Sequence, residues 1–143
     1  MLEGIKKLHF VGIGGVGMSA IAEVMLDKGY EISGSDLSES AVVKHLKAKG
    51  ATIYKGHDAL NVEGKEALVL SSAIHQDNPE LVAAKAKGLK LFHRSDILAY
   101  LLNDAKGIAV AGAHGKTTTS SMISVVLEHA KVDPTILIGG FVD

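Results

Sequence analysis

Two stretches of this sequence have the spacing of phosphate-binding loops, and they differ in design. Gly12-Ile13-Gly14-Gly15-Val16-Gly17 is a G-x-G-x-x-G. Gly112-Ala113-His114-Gly115-Lys116-Thr117-Thr118 is built around Gly-Lys-Thr. In the first, Gly12 would permit a tight turn, Gly14 would let the backbone approach a pyrophosphate, and Gly17 would let a following helix pack against a sheet. The N-terminus of that helix would offer free N–H groups and a positive dipole end to phosphate oxygens. In the second, backbone N–H groups would cradle a β-phosphate, Lys116 would reach the β- and γ-oxygens, and Thr117 would ligate magnesium. The full G-x-x-x-x-G-K-[ST] pattern is not met, because Val110 stands at its first glycine and Gly112 gives a shorter form. Two loops of different design imply two nucleotides, as in an enzyme that cleaves one to modify a group carried on the other.

Asp36 lies 19 residues after Gly17. At the end of a second strand, its carboxylate would accept hydrogen bonds from ribose hydroxyls. Within Gly34-Ser35-Asp36-Leu37-Ser38 it reads equally as a turn residue or helix cap. The seven histidines include no i, i+4 pair and there is no cysteine, so no metal-ligand pattern is visible beyond Thr117.

The elements that must position these loops follow from the hydrophobic pattern. Leu8 to Val11 reads as a buried strand, and Val16 to Lys28 as a helix with Ala20, Ile21, Val24 and Met25 at helical spacing. Strands are expected at Glu31 to Ser35, Ala51 to Tyr54, Ala67 to Leu70 and Leu89 to Phe92. Helices are expected from a cap at Ser38 or Ser40 to about Lys49, from Asn78-Pro79-Glu80 to about Lys87, and over Ser95 to Leu102. Strands alternating with helices imply right-handed crossovers and an α/β, Rossmann-like, doubly wound parallel sheet. After a polar boundary at Asn103 to Lys106, a strand at Ile108 to Ala111, a loop and helix over Gly115 to Ala130, and a strand at Thr135 to Ile138 would begin a P-loop ATPase domain. The division is therefore 1–104 and 105–143. A nucleotide-hydrolysing domain needs more sheet and a later acidic metal ligand, so the chain reads as the N-terminal piece of a longer protein.

Composition narrows the function classes. The chain has 143 residues, 47% of them hydrophobic and 22% charged, which suits a packed core rather than disorder. A net charge of −1 without a long basic block disfavours nucleic acid or an anionic membrane as the main partner. Lys6-Lys7 before the run from Leu8 to Ala22 has the parts of a secretory signal, but the run is glycine-rich and suits a turn better. It is also too short to span a membrane. The lack of cysteine is compatible with a reducing cytoplasm.

Five stretches, in order, resemble the Mur ligase family: His9-Phe10-Val11-Gly12-Ile13-Gly14-Gly15-Val16-Gly17-Met18-Ser19, then Gly34-Ser35-Asp36, then Ser71-Ser72-Ala73-Ile74, then Asp77-Asn78-Pro79-Glu80, then Ala111 to Thr119. The resemblance covers essentially the whole chain but only the first third or so of a full ligase. It is nearest to the members that join L-alanine to UDP-N-acetylmuramate in cytoplasmic peptidoglycan synthesis. It implies that residues 1–104 bind the UDP-sugar rather than a dinucleotide. Gly14, Gly15, Val16, Gly17, Met18 and Ser19 would contact the diphosphate, and Ser35 and Asp36 would sit by the uridine. Ser71, Ser72 and Ala73 would line the same crevice, with His75 and Arg94 facing the ligand. His75 reads as well as an ordinary loop histidine, and Arg94 as a structural ion-pair partner.

The resemblance also implies that Gly112, Ala113, His114, Gly115, Lys116, Thr117 and Thr118 bind ATP with Mg2+, with Lys116 and Thr117 catalytic. Ala113 replaces the family's usual threonine, which keeps the backbone N–H and loses a hydroxyl contact. The expected reaction is ATP-driven amide formation through an acyl phosphate, with the alanine site beyond Asp143 and the fragment inactive alone. The competing readings are a nicotinamide-dependent oxidoreductase, supported by the first loop and Asp36, and a nucleotide-sensing module. The oxidoreductase reading leaves Gly115-Lys116-Thr117 unexplained.

Overall fold

A computed structural model describes residues 1–104, 106–132 and 134–137. Five parallel strands form one sheet in the order β3-β2-β1-β4-β5. They are β1 (Lys7–Val11), β2 (Glu31–Asp36), β3 (Thr52–Lys55), β4 (Ala67–Leu70) and β5 (Lys90–His93). The connecting helices are α1 (Val16–Asp27), α2 (Ala41–Ala48), α3 (Pro79–Ala86) and α4 (Arg94–Asn103), with a short 3-10 helix at Ala59–Val62. Helix α5 (Lys116–His129) follows.

Strand alternation sends side chains to two different layers. Leu8, Phe10, Ile32, Ala67, Val69 and Phe92 join Met18, Ile21, Ala22 and Met25 of α1, Val43 and Leu46 of α2, and Ile97 and Leu101 of α4 in one buried cluster. Val11, Leu68 and Leu70 join Val62, Leu81 and Ala84 in a smaller one on the α3 side. Helices thus cover both faces, as the pattern of alternating elements requires. Central strand β4 is buried along its whole length.

Local chemistry sets the helix starts. The Ser40 hydroxyl accepts the Val43 N–H at 3.3 Å, so Ser40 and not Ser38 caps α2. The Asn78 side chain accepts the N–H groups of Glu80 and Leu81 at 3.0 and 3.4 Å, with Pro79 in the first turn of α3.

Residues 108–111 form no strand, contrary to the sequence expectation, and neither do 135–137; Ile138 lies outside the described residues. A strand needs a neighbour for its backbone groups, and among the described residues neither run has one. Helix α5 does form, but none of its residues is buried, and Met122, Val125 and Val126 stand exposed. No helix among the described residues is long and apolar enough to cross a membrane.

Candidate functional site

Chain direction diverges between neighbours β1 and β4. From β1 the chain turns into α1, on the face of the larger cluster, and from β4 into α3, on the opposite face. This is the switch point of a doubly wound sheet, where a crevice opens at the carboxyl ends of the strands. Its two walls are the glycine-rich loop Gly12 to Gly15 and the segment from Ser71 to Ala73. Ile74 lies 3.6 Å from the position a Gly12 Cβ would take, so the walls meet at the base.

The glycine-rich loop is held by the end of β2. The Ser35 carbonyl accepts the N–H groups of Gly12 and Ile13 at 2.8 and 3.0 Å. Asp36 Oδ2 accepts the Gly14 N–H at 2.8 Å, and Asp36 Oδ1 accepts the Ser38 N–H at 3.1 Å. Gly12 adopts φ +73°, the left-handed conformation that the turn out of β1 needs. Ile13 is fully buried, in space left by Gly34, whose Cβ would come within 2.5 Å of the Ile13 Cδ1.

These contacts correct several expected roles. The Gly14 N–H is committed to Asp36, and a Cβ there would meet Asp36 Oδ2 at 2.7 Å and Val43 Cγ2 at 2.9 Å. Glycine is needed at position 14 for that contact. Gly15 donates to the Gly12 carbonyl at 3.1 Å. Ser19 donates its N–H to the Gly15 carbonyl and its hydroxyl to the Val16 carbonyl. What remains for an anion is the first turn of α1, the N–H groups of Val16, Gly17 and Met18, which a helix leaves unpaired. The Met18 side chain is buried in the core and offers only its backbone.

Arg94, the first residue of α4, reaches this helix start. A Cβ on Gly17 would lie 2.2 Å from Arg94 Nη1 and 3.1 Å from Cζ. Gly17 therefore makes room for the guanidinium rather than for the sheet. Arg94 makes no ion pair among the described residues, so the structural ion-pair reading has no support. A guanidinium beside a helix N-terminus is an arrangement of two positive ends that an anion would complete. Arg94 also lines a cleft of about 320 Å³ with Ser71, Ser72, Ala73, His93 and Ser95. His93 and Ser95 were not singled out from the sequence; their position beside Arg94, at the end of β5, was the available signal. His75 is exposed and does not line this cleft.

Ser35 is not at the ligand surface. It is fully buried, and its hydroxyl donates to Glu80 Oε2 at 2.6 Å. Glu80 is itself fully buried and accepts from four groups. His9 Nε2 and Asn61 Nδ2 reach Oε1 at 3.0 and 2.8 Å, and His57 Nδ1 joins Ser35 at Oε2, at 2.8 Å. His9 Nδ1 lies 2.8 Å from the Ser33 hydroxyl. Burial is the largest single influence on Glu80 and disfavours its charge. The hydrogen bonds from His9, Ser35, Asn61 and His57 together outweigh it and hold the carboxyl below its ordinary range.

Gly115 adopts φ +76° and opens α5, which leaves the first-turn N–H groups of α5 pointing out of the helix start. Lys116 folds back so that its Nζ donates to the Gly112 carbonyl. Gly112, Ala113, His114, Gly115, Lys116 and Thr118 are exposed and Thr117 is half-buried.

The Mur ligase family, catalytic domain, matches residues 7–106. The UDP-N-acetylmuramate–L-alanine ligase of a Hydrogenobaculum species is 58% identical over 96% of this chain, and that of Dictyoglomus turgidum 54% over 94%. The chain spans 31% and 29% of the length of those two proteins. Among solved structures, the UDP-N-acetylmuramate–alanine ligase of Thermotoga maritima superposes with a TM-score of 0.89 at 36% identity, over 96% of this chain and 32% of its own. The UDP-N-acetylmuramate:L-alanyl-γ-D-glutamyl-meso-diaminopimelate ligase of Neisseria meningitides gives 0.88 at 32%, over 96% and 44%. A family match across most of the chain, and relatives sharing more than half of its residues, settle the placement: this chain belongs to the Mur ligase family.

Proposed function

We propose that this chain forms the UDP-sugar-binding domain and the ATP loop of an enzyme that joins L-alanine to UDP-N-acetylmuramate in peptidoglycan synthesis, in the cytoplasm. Residues 1–104 are the UDP-sugar domain, and 105–143 begin the ATP-binding domain. The observation that carries this reading is the Arg94 guanidinium, without an ion pair among the described residues, beside the first turn of α1 at the switch point of the sheet. A diphosphate fits there, taking N–H groups from Val16, Gly17 and Met18 and a charge-assisted bond from Arg94. Ser71, Ser72 and Ala73 share a cleft with Arg94, which supports their taking the rest of the nucleotide-sugar.

Asp36 disfavours the nicotinamide reading. Its two oxygens accept the N–H groups of Gly14 and Ser38, so the carboxylate has a structural task in tying the loop without any ribose. The choice of L-alanine rests on the names of the relatives.

In the full-length ligase, the lactyl carboxylate of the sugar attacks the γ-phosphorus of ATP, ADP leaves, and an acyl phosphate forms. The alanine amine then attacks the acyl carbon, releases inorganic phosphate and loses a proton to give the amide. The open start of α5 after Gly115 supports β-phosphate binding, with Lys116 turning from the Gly112 carbonyl to the γ-phosphate. Thr117, in the first turn of α5, would hold Mg2+, which when bound would neutralise phosphate charge.

Calorimetric titration of this chain with UDP-N-acetylmuramate tests the reading, with NAD and ATP as parallel titrants. Saturable binding of the UDP-sugar, weakened by Arg94→Ala, supports it. Binding of NAD with none of the UDP-sugar overturns it.

A further inference from the structure

We infer that Glu80 is a positioning residue for the nucleotide-sugar crevice, acting through Ser35 on the glycine-rich loop. The inference rests on the proposed reading of that crevice. Ser35 carries two links at once. Its carbonyl holds the N–H groups of Gly12 and Ile13, and its hydroxyl is held by Glu80. The loop's entry from β1 is therefore fixed to the carboxylate by a chain of hydrogen bonds with a single residue between.

The same carboxylate is carried by the helix that follows the opposite wall. Glu80 is the second residue of α3, and its N–H is held by Asn78 at 3.0 Å. The segment from Ser71 to Ala73 runs into that helix start. One buried group thus sets the spacing between the wall that follows β1 and the wall that follows β4. Hydrogen bonds impose direction where apolar packing imposes only proximity, and a fully satisfied buried network specifies one arrangement.

The four donors require a carboxylate. With Glu80 ionised both oxygens accept two bonds each, which assigns a proton to His9 Nε2 and to His57 Nδ1. Glutamine at position 80 would turn an N–H2 towards one pair of donors and break that side of the network. Among the described residues no buried side-chain nitrogen or oxygen lacks a partner, so nothing nearby is free to compensate.

The test uses the 143-residue chain with Ser35→Ala, which removes only the hydroxyl, and Glu80→Gln. Ile5→Val, before the start of β1 and in the larger cluster, serves as a destabilised control. Amide exchange is followed by NMR at Gly12, Ile13 and Gly14 without ligand, and UDP-N-acetylmuramate binding by calorimetry. Ser35→Ala and Glu80→Gln should speed exchange at Gly12 and Ile13, and weaken binding, by about tenfold or more, while the control stays within about twofold. Unchanged exchange in Ser35→Ala, or an equal effect in Ile5→Val, overturns the inference. If Glu80→Gln fails to fold, Ser35→Ala decides alone. If the wild-type chain binds no UDP-sugar, the reading of the crevice fails, and the amides still decide whether Glu80 positions the loop.

Discussion

The Arg94 guanidinium occupies the space that a side chain on Gly17 would need, with Nη1 2.2 Å from the missing Cβ. The obstruction is the far end of a flexible side chain and not backbone. Gly17→Ala should therefore displace Arg94 without loss of stability, since alanine is the better helix residue. UDP-N-acetylmuramate affinity should fall about tenfold while the melting temperature holds or rises. Arg94→Ala should lower affinity at least as far, and Arg94→Lys should restore part of it, because an ammonium keeps the charge but loses the planar fork. Calorimetry and thermal melting on the same samples check both arms. Undiminished affinity in Arg94→Ala would remove Arg94 from the site.

Gly14 gives the opposite balance. Its Cβ would meet Asp36 Oδ2 and Val43 Cγ2, both in a packed region. Gly14→Ala should cost about 1–3 kcal/mol of stability through displaced β2–α2 contacts. Urea unfolding measures it, and a change under about 0.5 kcal/mol would show that the loop shifts freely.

The Glu80 network should be visible in acid. Burial disfavours the charge most, but the donors His9, Ser35, Asn61 and His57 outweigh it, so the folded carboxyl titrates below its ordinary value of 4.5. A carboxyl depressed in this way stabilises the fold above the unfolded value. That contribution is lost as pH falls through the lower, folded value. Glu80→Gln should be less stable by about 3 kcal/mol near neutral pH. The gap should narrow as pH drops below about 4.5. Urea unfolding from about pH 7 to about pH 3 would show it. A gap independent of pH would mean that the carboxyl titrates alike in the folded and unfolded protein, and a shift of the opposite sign would mean that burial outweighs the donors.

Lys116 is exposed, and among the described residues its side chain is bonded only to its own loop. Lys116→Ala should leave the stability of this chain within about 0.5 kcal/mol. In a full-length ligase it should lower the ligation rate by about a thousandfold or more. Phosphate release with UDP-N-acetylmuramate and L-alanine is the assay, and a loss below about tenfold would take Lys116 out of the phosphoryl-transfer step.

Helix α5 buries none of its residues, whereas β4 is buried throughout. Hydrogen–deuterium exchange should find α5 amides far less protected than those of β1 and β4. Equal protection would show that its Met122, Val125 and Val126 face is covered in solution.

The central strands were legible because β1 and β4 are short apolar runs bounded by turn residues. Helix α3 was legible because Asn78-Pro79 is a start signal that acts through near neighbours. The Glu80 network was not. A glutamate two residues after an asparagine cap reads as a charge complementing the helix dipole. Its partners His9, Ser35 and His57 stand 71, 45 and 23 residues away, and only the sheet order brings them together. Ser35 misled for a related reason. Position at the end of β2 suggests a ligand contact, but strand alternation puts it on the face of Ser33 and His9, towards α3. The strands expected at 108–111 and 135–138 were read from apolar character alone, which says nothing about whether a neighbouring strand is present.

The burial of Ile13 in the space left by Gly34 makes these two positions a single inherited unit. The loop and the strand share one volume, and any atom added at position 34 must be subtracted at position 13. Substitutions here cannot accumulate one at a time without passing through an overfilled or a hollow intermediate. Across descendants of this sequence, the two sites should therefore drift in step or stay fixed together.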